Sequence, residues 1–423
     1  MEREIQNLWR YLKKLTPLSS EEIMAQIAII LIICRRSGKI IQNINEWYYF
    51  FEIEFETVLL NDLKKINQEI YFKIPTPSIL IKIVDLILYL QNIYSDCDIY
   101  EEFYKNYSNE KTSKMYITPN YLAQLMISLG EEANCKNILD CCCGTGNILY
   151  NSLEKQDIEL NGIDLNKRAL TILFFRSLFK NRRKINLEQQ DCLSHGGYGS
   201  KYDLIFLDPP FGIKVEYDYL YTRVETGMIY KVLDFLSDKG KAVVVLPQSY
   251  LKLNLKEVKI LKKKLIQENL LEKIVLLPSK VYPHTAIETL ILVINKNKSS
   301  LSIKIDSLEN ETLNELKKGN LEIDKKILKN LKEITEDDFY NNNLKEKNIF
   351  ETNLYLEKMK KLENLQAEIF QESRSLNEEI KNEISKGSNI KDGYILKLLN
   401  MEIQKIEILK KELQKFKMKI KEL

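Results

Sequence analysis

The tetrapeptide Asp208-Pro209-Pro210-Phe211 concentrates the clearest chemical potential in this chain. It closes the stretch Lys201 to Gly212, KYDLIFLDPPFG, in which Leu204, Ile205, Phe206 and Leu207 form a short apolar run. A run of this kind stopped by prolines reads as a buried strand turned at its end. Each proline fixes φ and removes an N–H, so the Asp208 side chain and the Asp208 and Pro209 carbonyls are held at the strand mouth. A fixed carboxylate beside a fixed carbonyl can accept both hydrogens of an exocyclic amine, and Phe211 can stack on the ring that carries it. Taken alone, the tetrapeptide is also explained by a proline turn with a solvated Asp and a core Phe.

Asp140, Asp164 and Asp191 likewise stand at the ends of predicted strands. Asp140 begins Asp140-Cys141-Cys142-Cys143-Gly144-Thr145-Gly146, where a carboxylate suited to an ammonium precedes glycines that let backbone approach a ligand closely. Asp164 follows at about the twenty-residue spacing at which an acid meets ribose hydroxyls in dinucleotide-binding folds. The chain lacks the third glycine of GxGxxG and a GKS or GKT triplet, which argues against a nicotinamide or nucleoside triphosphate ligand.

These residues need a scaffold that brings strand ends together. From about 114 onward strands and helices alternate: strands at Ile138 to Cys141, Leu160 to Asp164, Ile185 to Gln190, Leu204 to Leu207, Ala242 to Leu246, Ile274 to Leu277 and Leu290 to Ile294. Alternation of this kind predicts a parallel sheet covered by helices on both faces. The last two strands are joined too closely for a helical crossover and are predicted to pair antiparallel. Ligands of such sheets bind beyond the carboxyl ends of the strands, so acids at successive strand ends imply a shared crevice. Before the sheet, residues 1–110 carry helical periods, with Ser19 and Glu22 as a capping box and Thr76-Pro77 as a helix start. After it, 299–347 reads as a charged connecting region and 348–423 as a helical hairpin or coiled coil, with a heptad stripe from Ile395 to Leu423.

At 423 residues the chain exceeds one core, and a net charge of +3 argues against holding nucleic acid by bulk charge alone while leaving room for local basic patches. The most apolar run, Ile23 to Cys34, is too short to span a bilayer. The first residues lack a cleavage pattern and the seven cysteines show no CxxC spacing, so a cytoplasmic setting and no metal site are expected. His195 and His284 stand in no recognisable catalytic pairing with the cysteines, and the thiols read as small buried side chains.

Tyr116-Ile117-Thr118-Pro119, Asp140 to Gly146, Gly162-Ile163-Asp164, Asp191 and Asp208 to Phe211 follow the order seen in amino-group DNA methyltransferases. Within that group the chain resembles the modification subunit of type I restriction systems. Gly240-Lys241-Ala242 to Leu246-Pro247, and Leu277-Pro278 through Thr285 to Val293, resemble its later segments. The resemblance, over residues 114 to 297, implies a Rossmann-like methyltransferase domain at 111–298: a mostly parallel seven-stranded sheet with one antiparallel strand. It matches Tyr116, Thr118 and Pro119 to the segment over S-adenosylmethionine. Asp140, Gly144, Thr145 and Gly146 match contacts to its methionine part, Asp164 to its ribose and Asp191 to its adenine. Asp208, Pro209, Pro210 and Phe211 match the catalytic motif that receives a flipped adenine. Type I subunits usually carry Asn where this chain has Asp208; Asp occurs there in other adenine methyltransferases.

The resemblance further implies N6 methylation of DNA adenine, a specificity subunit gripped partly through the C-terminal helices, and association with a restriction or translocase subunit. Asx-Pro-Pro-aromatic motifs also serve enzymes acting on glutamine amides or RNA guanine amines. A catalytically silent scaffold is the reading from outside enzymology.

Overall fold

The computed structural model describes residues 1–37, 58–69, 73, 76–110, 117–130, 135–152, 158–181, 185–194, 201–217, 220–283, 285–321, 323 and 327–335, with residues 46, 49 and 53. The heptad stripe and the rest of 348–423 lie outside the described residues, as do Tyr116, His195 and His284.

The alternating pattern folds into one sheet. Its strands are β1 (Asn137–Asp140), β2 (Glu159–Asp164), β3 (Asn186–Gln189), β4 (Tyr202–Leu207), β7 (Leu236–Pro247), β8 (Leu271–Leu276), β9 (Thr289–Asn295), β10 (Ser302–Ser307) and β11 (Lys329–Thr335). Between β4 and β7 a separate hairpin is made by β5 (Lys214–Tyr217) and β6 (Leu220–Arg223). Among the described residues the main sheet has nine strands, in the order β11-β10-β8-β9-β7-β4-β1-β2-β3. β9 runs antiparallel to β7 and β8, as the short connection required.

Two features correct the expected seven strands with one antiparallel member. Within the segment expected to be a charged connector, β10 pairs parallel with β8 and β11 pairs antiparallel with β10. Charge had masked β10: Ile303 is buried, while Asp306 is carried inside by Lys273, whose Nζ lies 2.6 Å from its carboxylate. A paired carboxylate can occupy a strand position that an unpaired one cannot.

Each face of the sheet buries alternate residues, as the twofold strand period demands. Val243 and Val245 of β7 pack with Leu122 and Met126 of helix Asn120–Gly130 and with Leu170 and Leu173 of helix Lys167–Asn181. Ala242, Val244 and Leu246 face the opposite way, into a core with Ile229 of helix Val224–Phe235 and Val258 of helix Lys256–Gln267. A third core joins helices Glu2–Leu15, Ser20–Ser37, Pro77–Gln91 and Asp96–Ser108 to Ile172 and Phe175. Helix Lys167–Asn181 is therefore apolar on opposite sides, one against the sheet and one against the N-terminal helices. Its sequence lacks a clear polar face for that reason.

Local signals fix the helices that matter to the site. Ser19 and Glu22 exchange backbone and side-chain bonds in a capping box ahead of Ser20–Ser37, and Pro77 opens its helix behind Thr76. Ser95 and Asp98 form a second capping box that starts Asp96–Ser108. Among the described residues no helix is long and apolar enough to cross a membrane.

Candidate functional site

The order β4-β1-β2 marks where the chain reverses its direction of winding, and the polar residues sit at the carboxyl ends of these strands. Asp208 follows the last residue of β4. Thr118 Oγ1 donates to its Oδ2 at 2.6 Å and the Tyr282 hydroxyl donates to its Oδ1 at 2.7 Å. Burial raises the Asp208 pKa above the ordinary carboxylate range, and these two hydroxyl bonds act against the rise. The Phe211 ring meets Tyr282 edge to face at 6.3 Å between centroids. Buried Glu225 fixes the far end of the corner by accepting the Gly212 N–H at 2.7 Å through Oε1.

Asp140 ends β1 and is 2% exposed, with Oδ1 accepting the Cys142 N–H at 3.2 Å. Burial pushes its pKa up to about 8, and the neighbouring Asp208 and Asp164 carboxylates add to the rise. Asp164 ends β2 and accepts from backbone on both oxygens, Gly144 N–H on Oδ2 and Asn166 N–H on Oδ1, each at 2.8 Å. Burial still raises its pKa. The loop between β1 and helix Asn147–Ser152 is thus tied to the β2 end by a side chain. Gly146 has φ +84°, and a Cβ there would lie 2.1 Å from Leu173, so any side chain strains the turn and must displace Leu173.

Asp191 lies just past β3 and accepts the Leu193 N–H at 3.0 Å; Gln190 N–H donates to the Asp164 carbonyl at 3.2 Å. Pro119 precedes helix Asn120–Gly130, where its carbonyl accepts the Ala123 N–H at 2.9 Å. Asp140 lies close enough to Asp164 and Asp208 for both to raise its pKa, and Thr118 touches Asp208 directly. Thr145 points elsewhere: its side chain is buried and bonds the Tyr104 hydroxyl at 2.7 Å, away from the acids. Cys141 and Cys143 are buried; a side-chain hydrogen bond with Cys192, and then burial, drives the Cys141 thiol pKa well up, and burial drives up that of Cys143, which disfavours the reactive thiolate at both. Burial, reinforced by the neighbouring Cys192, Asp164, Asp140 and Asp208, also raises the thiol pKa of half-buried Cys142.

Tyr282, Glu225 and Asn147 did not stand out in the sequence. Tyr282 falls in a proline-flanked loop between β8 and β9, and only the fold brings its hydroxyl back to Asp208. Chemically, the corner offers acceptors for an amine, and the β1, β2 and β3 ends offer carboxylates for a cation and for hydroxyls.

A family model for N-6 DNA methylases matches residues 95–378. The methylase subunit of the type I restriction enzyme EcoEI from Escherichia coli is 25% identical over 232 residues, 49% of this chain and 47% of that protein. The type II restriction enzyme and methyltransferase RM.BcgI from Heyndrickxia coagulans is 24% identical over 216 residues, 46% of this chain and 33% of that protein. The chain therefore spans between a third and a half of these curated relatives. In fold it is similar to the crystal structure of a type I restriction-modification methyltransferase subunit from Streptococcus thermophilus, with TM-score 0.59 and 13% identity over 81% of this chain and 96% of that one. Because the family match runs from helix Asp96–Ser108 through every strand of the sheet, and not over one motif, the chain belongs to the N-6 DNA methylase family.

Proposed function

We propose that this chain transfers a methyl group from S-adenosylmethionine to the N6 amine of adenine in DNA, as the modification subunit of a restriction-modification complex. The observation that carries the reading is the Asp208 corner, where both carboxylate oxygens are oriented by hydroxyl donors beside Phe211. Each oxygen keeps a further lone pair for an amine hydrogen. Asp208 accepts one hydrogen and the Pro209 carbonyl the other, which directs the nitrogen lone pair out of the ring plane. Phe211 stacks on the extruded base. A carboxylate with a raised pKa is also suited to take the proton that the amine sheds. Positioning and electrostatics supply the acceleration, with no covalent enzyme intermediate.

The donor set fits S-adenosylmethionine, which supplies the electrophilic methyl when bound. Buried Asp140 suits the ammonium of its methionine part, Asp164 the ribose hydroxyls and Asp191 the adenine, with Gly144 and Gly146 giving close backbone approach. Thr118 and Pro119 border the same crevice. Thr145 contributes through its backbone.

The domain roles follow from this reading. Residues 1–110 form a helical support, 111–298 the transfer domain, and 348–423 the grip on a specificity subunit that chooses the target sequence. A restriction or translocase subunit completes the complex in the cytoplasm. Similarity to a subunit of a multi-protein type I enzyme supports this division.

The test compares a host with and without the gene, hydrolysing its DNA, RNA and protein for mass spectrometry. N6-methyladenine in DNA should depend on the gene. Dependence of N2-methylguanine in RNA or of methylated glutamine, with DNA unchanged, would reassign the substrate.

A further inference from the structure

Behind the cofactor loop lies a cation that none of the chemistry above uses. Arg176, on helix Lys167–Asn181, is 2% exposed. Its Nε and Nη2 donate to the two oxygens of Glu101 at 2.7 and 2.8 Å, a bidentate pair across to helix Asp96–Ser108. Its Nη1 donates to the Thr145 carbonyl at 2.9 Å and to Asn147 Oδ1 at 2.8 Å. The guanidinium carbon lies 3.7 Å from the Tyr104 ring centroid and 4.1 Å from that of Tyr150. Only a planar fork with five donors meets all these partners at once.

The contacts continue into the site. Tyr104 donates its hydroxyl to Asn147 Oδ1 at 3.1 Å, which leaves the Thr145 hydroxyl as donor to the Tyr104 oxygen. Asn147 Nδ2 donates to the Thr118 carbonyl at 2.6 Å, and Thr118 Oγ1 donates to Asp208. An unbroken series runs from Glu101 through Arg176, Asn147 and Thr118 to Asp208. A branch from Arg176 holds the Thr145 carbonyl between the two glycines of the loop. Burial makes the arrangement discrete, because an arginine withdrawn from water and deprived of a partner cannot be resolvated in place.

We propose that Arg176 and Asn147 are positioning residues for methyl transfer, through which helix Asp96–Ser108 sets the geometry of both the cofactor loop and the Asp208 corner. The Asp208 arm rests on the catalytic role proposed above; the Thr145 arm does not.

Full-length chains carrying Arg176→Met, Arg176→Lys, Asn147→Ala or Asp208→Ala are compared with the parent by thermal melting, calorimetric titration with S-adenosylmethionine and mapping of N6-methyladenine in the host. Arg176→Met is expected to weaken cofactor binding about tenfold and cut methylation about a hundredfold, the scale of a small misplacement of reacting groups. Arg176→Lys should recover part of both, since charge returns without the fork. Asn147→Ala keeps the Arg176–Glu101 pair and secures the test if Arg176→Met does not fold; it should lower methylation at least about tenfold. Unchanged cofactor affinity and methylation in the folded Arg176→Met and Asn147→Ala proteins, whatever their melting temperatures, would overturn the proposal. Full methylation by Asp208→Ala would overturn the catalytic corner instead, because the cofactor affinity of Arg176→Met decides the present question independently.

Discussion

A carboxylate that accepts from Thr118 on one oxygen and Tyr282 on the other is fixed in orientation while keeping lone pairs for an incoming amine. Removing the Tyr282 hydroxyl releases one side of that carboxylate. Tyr282→Phe should therefore lower the methylation rate about tenfold, the equivalent of one hydrogen bond to a charged group, with little change in cofactor affinity. Asp140 supplies a pH test. Its folded pKa of about 8 lies above its unfolded value near 3.8, so the folded state holds a proton that the unfolded state gives up. This group's contribution to stability is full below about pH 3.8 and is lost as pH rises through about 8. A bound ammonium favours the ionised form, so cofactor binding should release a proton between those limits and tighten with rising pH. Calorimetry in buffers of different ionisation enthalpy measures the release, and Asp140→Asn should abolish it. Asp208 and Asp140 were legible as strand-end acids because each closes an apolar run, Asp208 directly before two prolines and Asp140 four residues before Gly144. Tyr282 and Arg176 were not, since an aromatic in a loop and a cation on an apolar helix carry no local mark of what they reach.

At the level of elements, the site depends on a turn at Gly146 that strains any other residue. Gly146→Ala would impose both a positive φ and a 2.1 Å approach to Leu173, and should destabilise the fold by about 1–3 kcal/mol as overpacking does. Chemical denaturation of the free chain measures it. The core strands were legible because β1, β2, β4, β7, β8 and β9 are short apolar runs between turn residues. β10 was not, because a paired charge lets polar sequence enter a sheet. Nor were the short strands β5 (KVEY) and β6 (LYTR), which carry no continuous apolar run. Helix Lys167–Asn181 was legible as a helix but not as a shared wall. Periodicity reports that a helix is buried, and it does not report that two different cores bury it.

At the scale of the molecule, one compact unit from Met1 to Tyr340 includes both the N-terminal helices and the sheet. The division at residue 110 drawn from helical periods is crossed by the third core and by the Arg176–Glu101 pair. Sequence texture changes there because the secondary structure changes, and packing continues across it. Sequence choice is a separate matter: a methylase that extrudes an adenine still needs base-edge contacts to select its site. The isolated chain is expected to bind S-adenosylmethionine but to methylate DNA weakly, and robust site-specific methylation by the purified chain would contradict that division of labour. The central claim is that the Asp208 corner transfers methyl groups to adenine. Base-resolution methylome sequencing of hosts carrying the parent gene, Asp208→Ala or no gene tests it most directly. The account predicts one N6-methyladenine motif present with the parent gene and absent from the other two; the same motif surviving at full occupancy with Asp208→Ala would contradict it.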